Sequence, residues 1–174
     1  MQVPLVMTVI GRDRPGLIEL VASIVAAHGG NWLESRMCRL GGEFAGILRI
    51  QVDSEVEPQL RQELQGLADK GLNAVVCSGR SPHDQPQGRI AVLELLGQDR
   101  PGIVREISRA LAGQGVNVEE LSTECSSAPM TGEMLFRAKA RLQIPASCPL
   151  PELRQQLEKI GGNLLVDVSL EELV

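Results

Sequence analysis

The chain has 174 residues, a formal net charge of −5, 43% apolar residues and three aromatics in all, Trp32, Phe44 and Phe136. Such a chain buries enough apolar surface to fold around an aliphatic core, while its acidic excess argues against nucleic-acid or anionic-membrane partners. No apolar run reaches the roughly 18 residues of a membrane span, and four scattered cysteines with no C-x-x-C fit buried thiols of a reducing cytoplasm rather than a metal site.

Val3–Ile10 is an apolar, β-rich run ended by Gly11; it predicts a strand, not a secretion leader. The stretch GRDRPGLIEL, residues 11–20, then opens a helix. Asp13 reads as its amino-terminal cap or pre-cap, and Pro15 as a first-turn residue whose missing N–H costs nothing. Leu17, Ile18, Val21, Ile24 and Val25 recur at helical spacing, and Gly29 sits where that helix should stop. Asn31 opens a second strand, NWLESRMCRL, whose mixed polarity suits a sheet edge. Gly41 and Gly42 turn the chain into a third strand. Pro58–Lys70 predicts a second helix with Leu60, Leu64 and Leu67 on one face, and Asn73–Val76 a last strand. The polar run SGRSPHDQPQGR, residues 78–89, reads as a linker.

The same order then begins again. Gly11, Asp13, Arg14, Pro15 and Gly16 recur as Gly97, Asp99, Arg100, Pro101 and Gly102, and Asn31 recurs as Asn117, all 86 residues on. Glu43 matches Glu133 and Asn73 matches Asn163 at an offset of 90, which places four extra residues near SSAPMTG. This is a tandem duplication. Ile90–Leu96 is the strand; Ile103, Val104, Ile107, Leu111 and Ala112 carry the helix, which stops near Gly115. NVEELSTECSS is the edge strand, and Gly132 with Pro129 the turn. Leu153, Leu157 and Ile160 mark a helix over Leu150–Ile160, and Asn163–Val168 a last strand. In MLFRAKARLQI, Met134, Phe136, Ala138, Ala140 and Leu142 face one way while Arg137, Lys139 and Arg141 face the other. A one-sided sheet requires that alternation; the basic stripe could also dock an acidic partner. The fold class is α+β: two ferredoxin-like βαββαβ units, each an antiparallel sheet with helices on one face. The expected boundaries are 1–79, a linker over 80–88, and 89–174.

A βαββαβ unit with D-R-P-G after its first strand and an asparagine opening its second, in GGNW and GVNV, resembles the ACT domain. Two units in one chain, with ESRMCRLGGEFAGIL after the first asparagine, resemble the glycine cleavage system transcriptional repressor group. The resemblance implies a small amino-acid ligand, glycine or similar, lying between the strand-one turn of one unit and the strand-two opening of its neighbour. Carried over, the ligand-binding candidates are Asp13, Gly16, Leu17 and Asn31, with Asp99, Gly102, Ile103 and Asn117. Helix amino-terminal N–H groups suit a carboxylate, glycine permits close approach, and asparagine both donates and accepts. The amino-acid-binding members resembled have Asn where this chain has Asp13 and Asp99; an aspartate pairs with an ammonium and repels a carboxylate. The same residues also read as a helix opening and a turn with no ligand.

The resemblance further implies a cytoplasmic regulator that controls a transcription factor by direct protein contact, with no direct nucleic-acid contact and no membrane. It leaves room for a homodimer through the outer faces. A ligand-free pair acting purely as a protein-interaction module is the alternative. RNA-recognition modules share the topology but stack bases on central-strand aromatics, which the first strand lacks here. Enzymatic activity is not expected: His28 and His83 recur in neither half, no nucleophile–base pair is visible, and Glu119 and Glu120, adjacent on a strand, should face opposite ways. No cofactor, metal or catalytic residue is expected.

Overall fold

The computed structural model describes residues 1–79, 88–128 and 132–173. Of the expected linker, 80–88, only Gly88 falls among them, and His83 and Pro129 lie outside the described residues. The chain divides into two compact units, Met1–Asp84 and Gln85–Val174.

The first unit runs β1 (Gln2–Arg12), α1 (Leu17–Ala27), β2 (Asn31–Leu40), β3 (Glu43–Asp53), α2 (Glu57–Gln65) with a 3-10 turn over Gly66–Lys70, and β4 (Leu72–Ser78). Its strands lie in the order β2-β3-β1-β4, all antiparallel. The second runs β5 (Gly88–Gln98), α3 (Ile103–Gly113), β6 (Asn117–Ser127), β7 (Met134–Pro145), α4 (Leu150–Leu164) and β8 (Val166–Glu172), in the order β6-β7-β5-β8. β2 and β6 are therefore edge strands, as their mixed polarity predicts.

Each unit closes a core of its own. Leu5, Met7 and Val9 of β1 and Leu48, Ile50 and Val52 of β3 pack under Leu17, Val21, Ile24 and Val25 of α1 and Leu60 and Leu64 of α2. Leu93, Leu95, Ala138, Ala140, Leu142, Ile107, Leu111, Leu153 and Leu157 do the same in the second unit. Ile18 and Val104, expected on the buried faces, are 52% and 44% exposed, and Ala110 rather than Ala112 is buried. A helix over one sheet face buries a narrower stripe than its apolar residues cover. The thiols also differ from expectation: Cys148 is buried, whereas Cys38, Cys77 and Cys125 are exposed. Cys38 and Cys77 pair in register with Ala45 and Val6 on the outer sheet face, where strand alternation puts them.

The stops of α1 and α3 follow one pattern. Gly29, with φ 65°, donates to Ala26 and Gly30 donates to Val25; Gly115, with φ 70°, donates to Ala112 and Val116 donates to Leu111. These are the paired bonds of a Schellman ending.

Past the hairpins, the expected offset of 90 fails. Gly11 pairs with Phe44 and Gly97 with Phe136, so the offset there is 136 − 44 = 92. Gly11 pairs with Leu72 and Gly97 with Val166, giving 166 − 72 = 94. Glu133 is thus not the counterpart of Glu43, and Asn163 lies in the last turn of α4 rather than opening a strand. The added residues are spread over the hairpin and the second-helix region, which isolated letter matches cannot locate. Even a strand irregularity is duplicated: the register shifts between Trp32 and Glu34 in β2, and between Val118 and Glu120 in β6.

Candidate turn sites at two helix amino ends

The duplicated run is first a backbone device. A side chain at Gly11 would run into the carbonyl oxygen of Gly71, and one at Gly97 into that of Leu165, where β4 and β8 begin. Gly16 and Gly102 hold φ 91° and 97°, a left-handed conformation that glycine adopts without steric cost. Each of these two glycines, not Asp13 or Asp99, is the residue that caps the helix, and neither helix receives a side-chain cap bond. Pro15 and Pro101 correspondingly precede the cap rather than occupying the first turn. The geometry corrects both expectations: the turn needs a positive φ immediately before the helix, and that moves the cap three residues along the chain, from Asp13 to Gly16 and from Asp99 to Gly102.

The consequence is a helix amino end with unpaired donors. The first intrahelical bonds run from Leu20 to the Gly16 carbonyl and from Glu106 to the Gly102 carbonyl. The N–H groups of Leu17 and Ile18, and of Ile103 and Val104, therefore have no acceptor within their helices. Leu17 and Ile103 bury their side chains, at 3% and 2% exposure, so only their backbones can meet a ligand.

The two turns are held differently. The backbone N–H of Asp13 donates to the Gly42 carbonyl and that of Asp99 to the Met134 carbonyl. The Asp13 carboxylate is 2.9 Å from Arg39 Nε. The residue at the position equivalent to Arg39 is Cys125, since 39 + 86 = 125. Loss of solvent pushes the Cys125 thiol up first, and the Asp99 carboxylate, which accepts its hydrogen bond, pushes it further. Asp99 has no cationic partner among the described residues. Arg14 donates to the Lys70 carbonyl at 2.8 Å, and Arg100 to Gln98 Oε1 at 2.9 Å. A carboxylate arriving at the first turn meets a neutralised aspartate; one arriving at the second meets a free negative charge. Nothing in the motif letters separates Asp13 from Asp99. Arg39 and Cys125 could have been found only by carrying the 86-residue offset into the edge strands.

Asn31 and Asn117 open β2 and β6 as expected, exposed at the sheet edges. They do not join the turns of their own units. Asn31 pairs in register with Gln51 and Gln51 with Pro4, while the turn follows Arg12. Eight residues of strand separate the two levels, about 27 Å. The second sheet repeats this, with Asn117 opposite Gln143 and Gln143 opposite Ile90. A single unit offers a ligand its turn or its asparagine, not both.

The basic stripe on β7 alternates as expected, but it is not free. Arg137, Lys139 and Arg141 reach Glu124, Glu94 and Glu119 at 3.1, 2.7 and 2.9 Å. The duplicated strand irregularity also upsets the expected Glu119–Glu120 alternation, bringing Glu119 to Arg141, whose register partner is Glu120. No group of metal-ligating side chains stands together among the described residues, and no helix there is long and apolar enough to cross a membrane.

ACT-domain models match residues 3–76 and 91–141. A protein from Galdieria sulphuraria superposes with a TM-score of 0.88 at 30% identity, covering 100% of both chains. A candidate glycine cleavage system transcriptional repressor superposes with a TM-score of 0.72 at 22% identity, over 99% of this chain and 98% of that one, a likeness of fold. Phosphoserine phosphatase SerB2 of Mycobacterium tuberculosis is 28% identical over 98% of this chain, which spans 41% of that enzyme's length.

Proposed function

This chain belongs to the ACT-domain family, and from that premise we propose that it is a regulatory protein responding to a small amino acid at its strand-one turns. The carrying observation is the pair of helix amino ends, each opened by a left-handed glycine and left without a side-chain cap. Such an end suits a carboxylate, with close backbone approach at Gly16 and Gly102. Asp13, Gly16 and Leu17, and Asp99, Gly102 and Ile103, form the turn ends of the reading; Asn31 and Asn117 form its strand-two ends. The Asp13–Arg39 pair favours the first turn for the carboxylate, and the free Asp99 suits an ammonium.

The output is control of a transcription factor by direct protein contact in the cytoplasm, with glycine the first ligand to try. The fold shared with the candidate repressor supports it. The ACT-domain matches over residues 3–76 and 91–141 support a regulatory role. The second reading, a ligand-free interaction module, is favoured by one fact: every glycine of the motif already has a backbone reason to be there.

Calorimetric titration with glycine, serine and a wider amino-acid panel separates the two. Saturable binding, weakened by Asn31→Ala or Asn117→Ala, supports the sensor. Absence of heat and of thermal stabilisation into the millimolar range would leave the interaction module.

A further inference from the structure

The two units do not fill the space between their first helix and edge strand alike. In the first unit Leu48 is 1% exposed under α1, and Trp32 and Met37 of the edge strand pack against the core. Register identifies the counterparts. Met7 pairs with Leu48 as Leu93 pairs with Ala140, and Ile50 pairs with Trp32 as Leu142 pairs with Val118. Leucine has become alanine and tryptophan has become valine; Met37 has become Thr123. Ser35 to Leu121, Val21 to Ile107, Val25 to Leu111 and Gly46 to Ala138 add carbons back without closing the gap, and Leu121 and Val118 remain 52% and 38% exposed.

What remains is a cavity of about 40 Å³ between α3 and β6, walled by Leu93, Ile107, Leu111, Val118, Leu121 and Ala140. Its one polar side chain, Ser108, already donates to the Arg105 carbonyl at 3.1 Å. A single water needs about 10–15 Å³ and two or more polar partners. This space is large enough for a water and offers it almost nothing to bond. Enclosed apolar cavities stay dry and accept compact hydrocarbon groups; this smaller one shares their apolar lining and opens on one side. Exposure of Val104, Val118 and Leu121 provides an entrance.

We propose that the second unit binds a compact branched aliphatic group, about the size of an isopropyl or isobutyl end, in the place that the Leu48 side chain fills in the first. The sister unit is the template for the occupant. Leu48 exceeds Ala140 by three carbons, in a slot that is mostly apolar in both copies, with Ser35 beside it in the first and Ser108 in the second. Val104, at the rim, is the one lining residue shared with the helix amino ends of the proposed amino-acid sites; the other walls belong to neither turn nor asparagine, so this inference does not rest on that reading.

The test uses the full chain with methyl-labelled side chains and isobutanol as the probe, followed by NMR. Saturable shifts are expected at Val104, Val118, Leu121 and Ala140, with Leu48 and Ile50 unmoved. Ala140→Leu should weaken that binding at least tenfold, and Leu48→Ala should create a second isobutanol site in the first unit. Absence of saturable shifts in the second unit, or shifts that survive Ala140→Leu in a folded protein, would overturn the proposal. Should Ala140→Leu fail to fold, Leu48→Ala decides: no new site in a folded variant overturns it as well.

Discussion

Asp13 and Asp99 carry the same letters around them and meet different partners. Arg39 neutralises one, while the other accepts a hydrogen bond from Cys125 and raises that thiol. The thiolate is the reactive form, so the Asp99 carboxylate holds Cys125 less reactive at mildly alkaline pH. Asp99→Asn removes a negative charge and shifts the titration downward, so alkylation at pH 8 should accelerate. The measurement is iodoacetamide labelling of Cys125 by mass spectrometry, with Cys38 and Cys77 replaced by serine. An unchanged rate would mean that solvent loss alone sets the thiol. The difference between the turns was illegible in the motif because both partners come from an edge strand, far along the chain.

Among the elements, α1 and α3 show how much of a helix the letters specify. Their stops were legible: Gly29 and Gly115 take the positive φ that a Schellman ending requires. Their starts were misread, because Asp followed by Pro suggests a cap, whereas the turn spends two more residues before Gly16 and Gly102. The cost of that glycine is testable. Gly16→Ala has open space for its methyl but a φ of 91°, so it should lose about 1–2 kcal/mol in denaturant unfolding. Gly11→Ala should lose more, since its methyl meets the Gly71 carbonyl rather than solvent. Equal losses would mean that backbone strain, not contact, governs the run.

In the whole molecule, two cores share no residue. Leu60, fully buried on the inner face of α2, should cost about 2–5 kcal/mol when cut to alanine. Hydrogen exchange should show the loss across β1, β3 and β4 while β5 and β7 keep their protection; loss spread evenly over both units would refute independent cores. The duplication itself was legible, down to the order of strands and the edge position of β2 and β6, because apolar period, glycine stops and a repeated motif are local signals. Its exact register was not. Glu133 and Asn163 matched by letter and not by position, since only the backbone pairing of Phe44 and Phe136 to Gly11 and Gly97 counts the inserted residues.

By itself, then, the sequence determined the α+β class, the two βαββαβ units and the glycines that bend the chain, all properties of neighbouring residues and their periodicity. Tertiary structure decided the rest. It separated each turn from its own asparagine by the length of a strand, gave Asp13 an arginine and Asp99 a thiol, and left a cavity where alanine replaces leucine. Those outcomes depend on which distant residues the sheet brings side by side, and strand register alone fixes that.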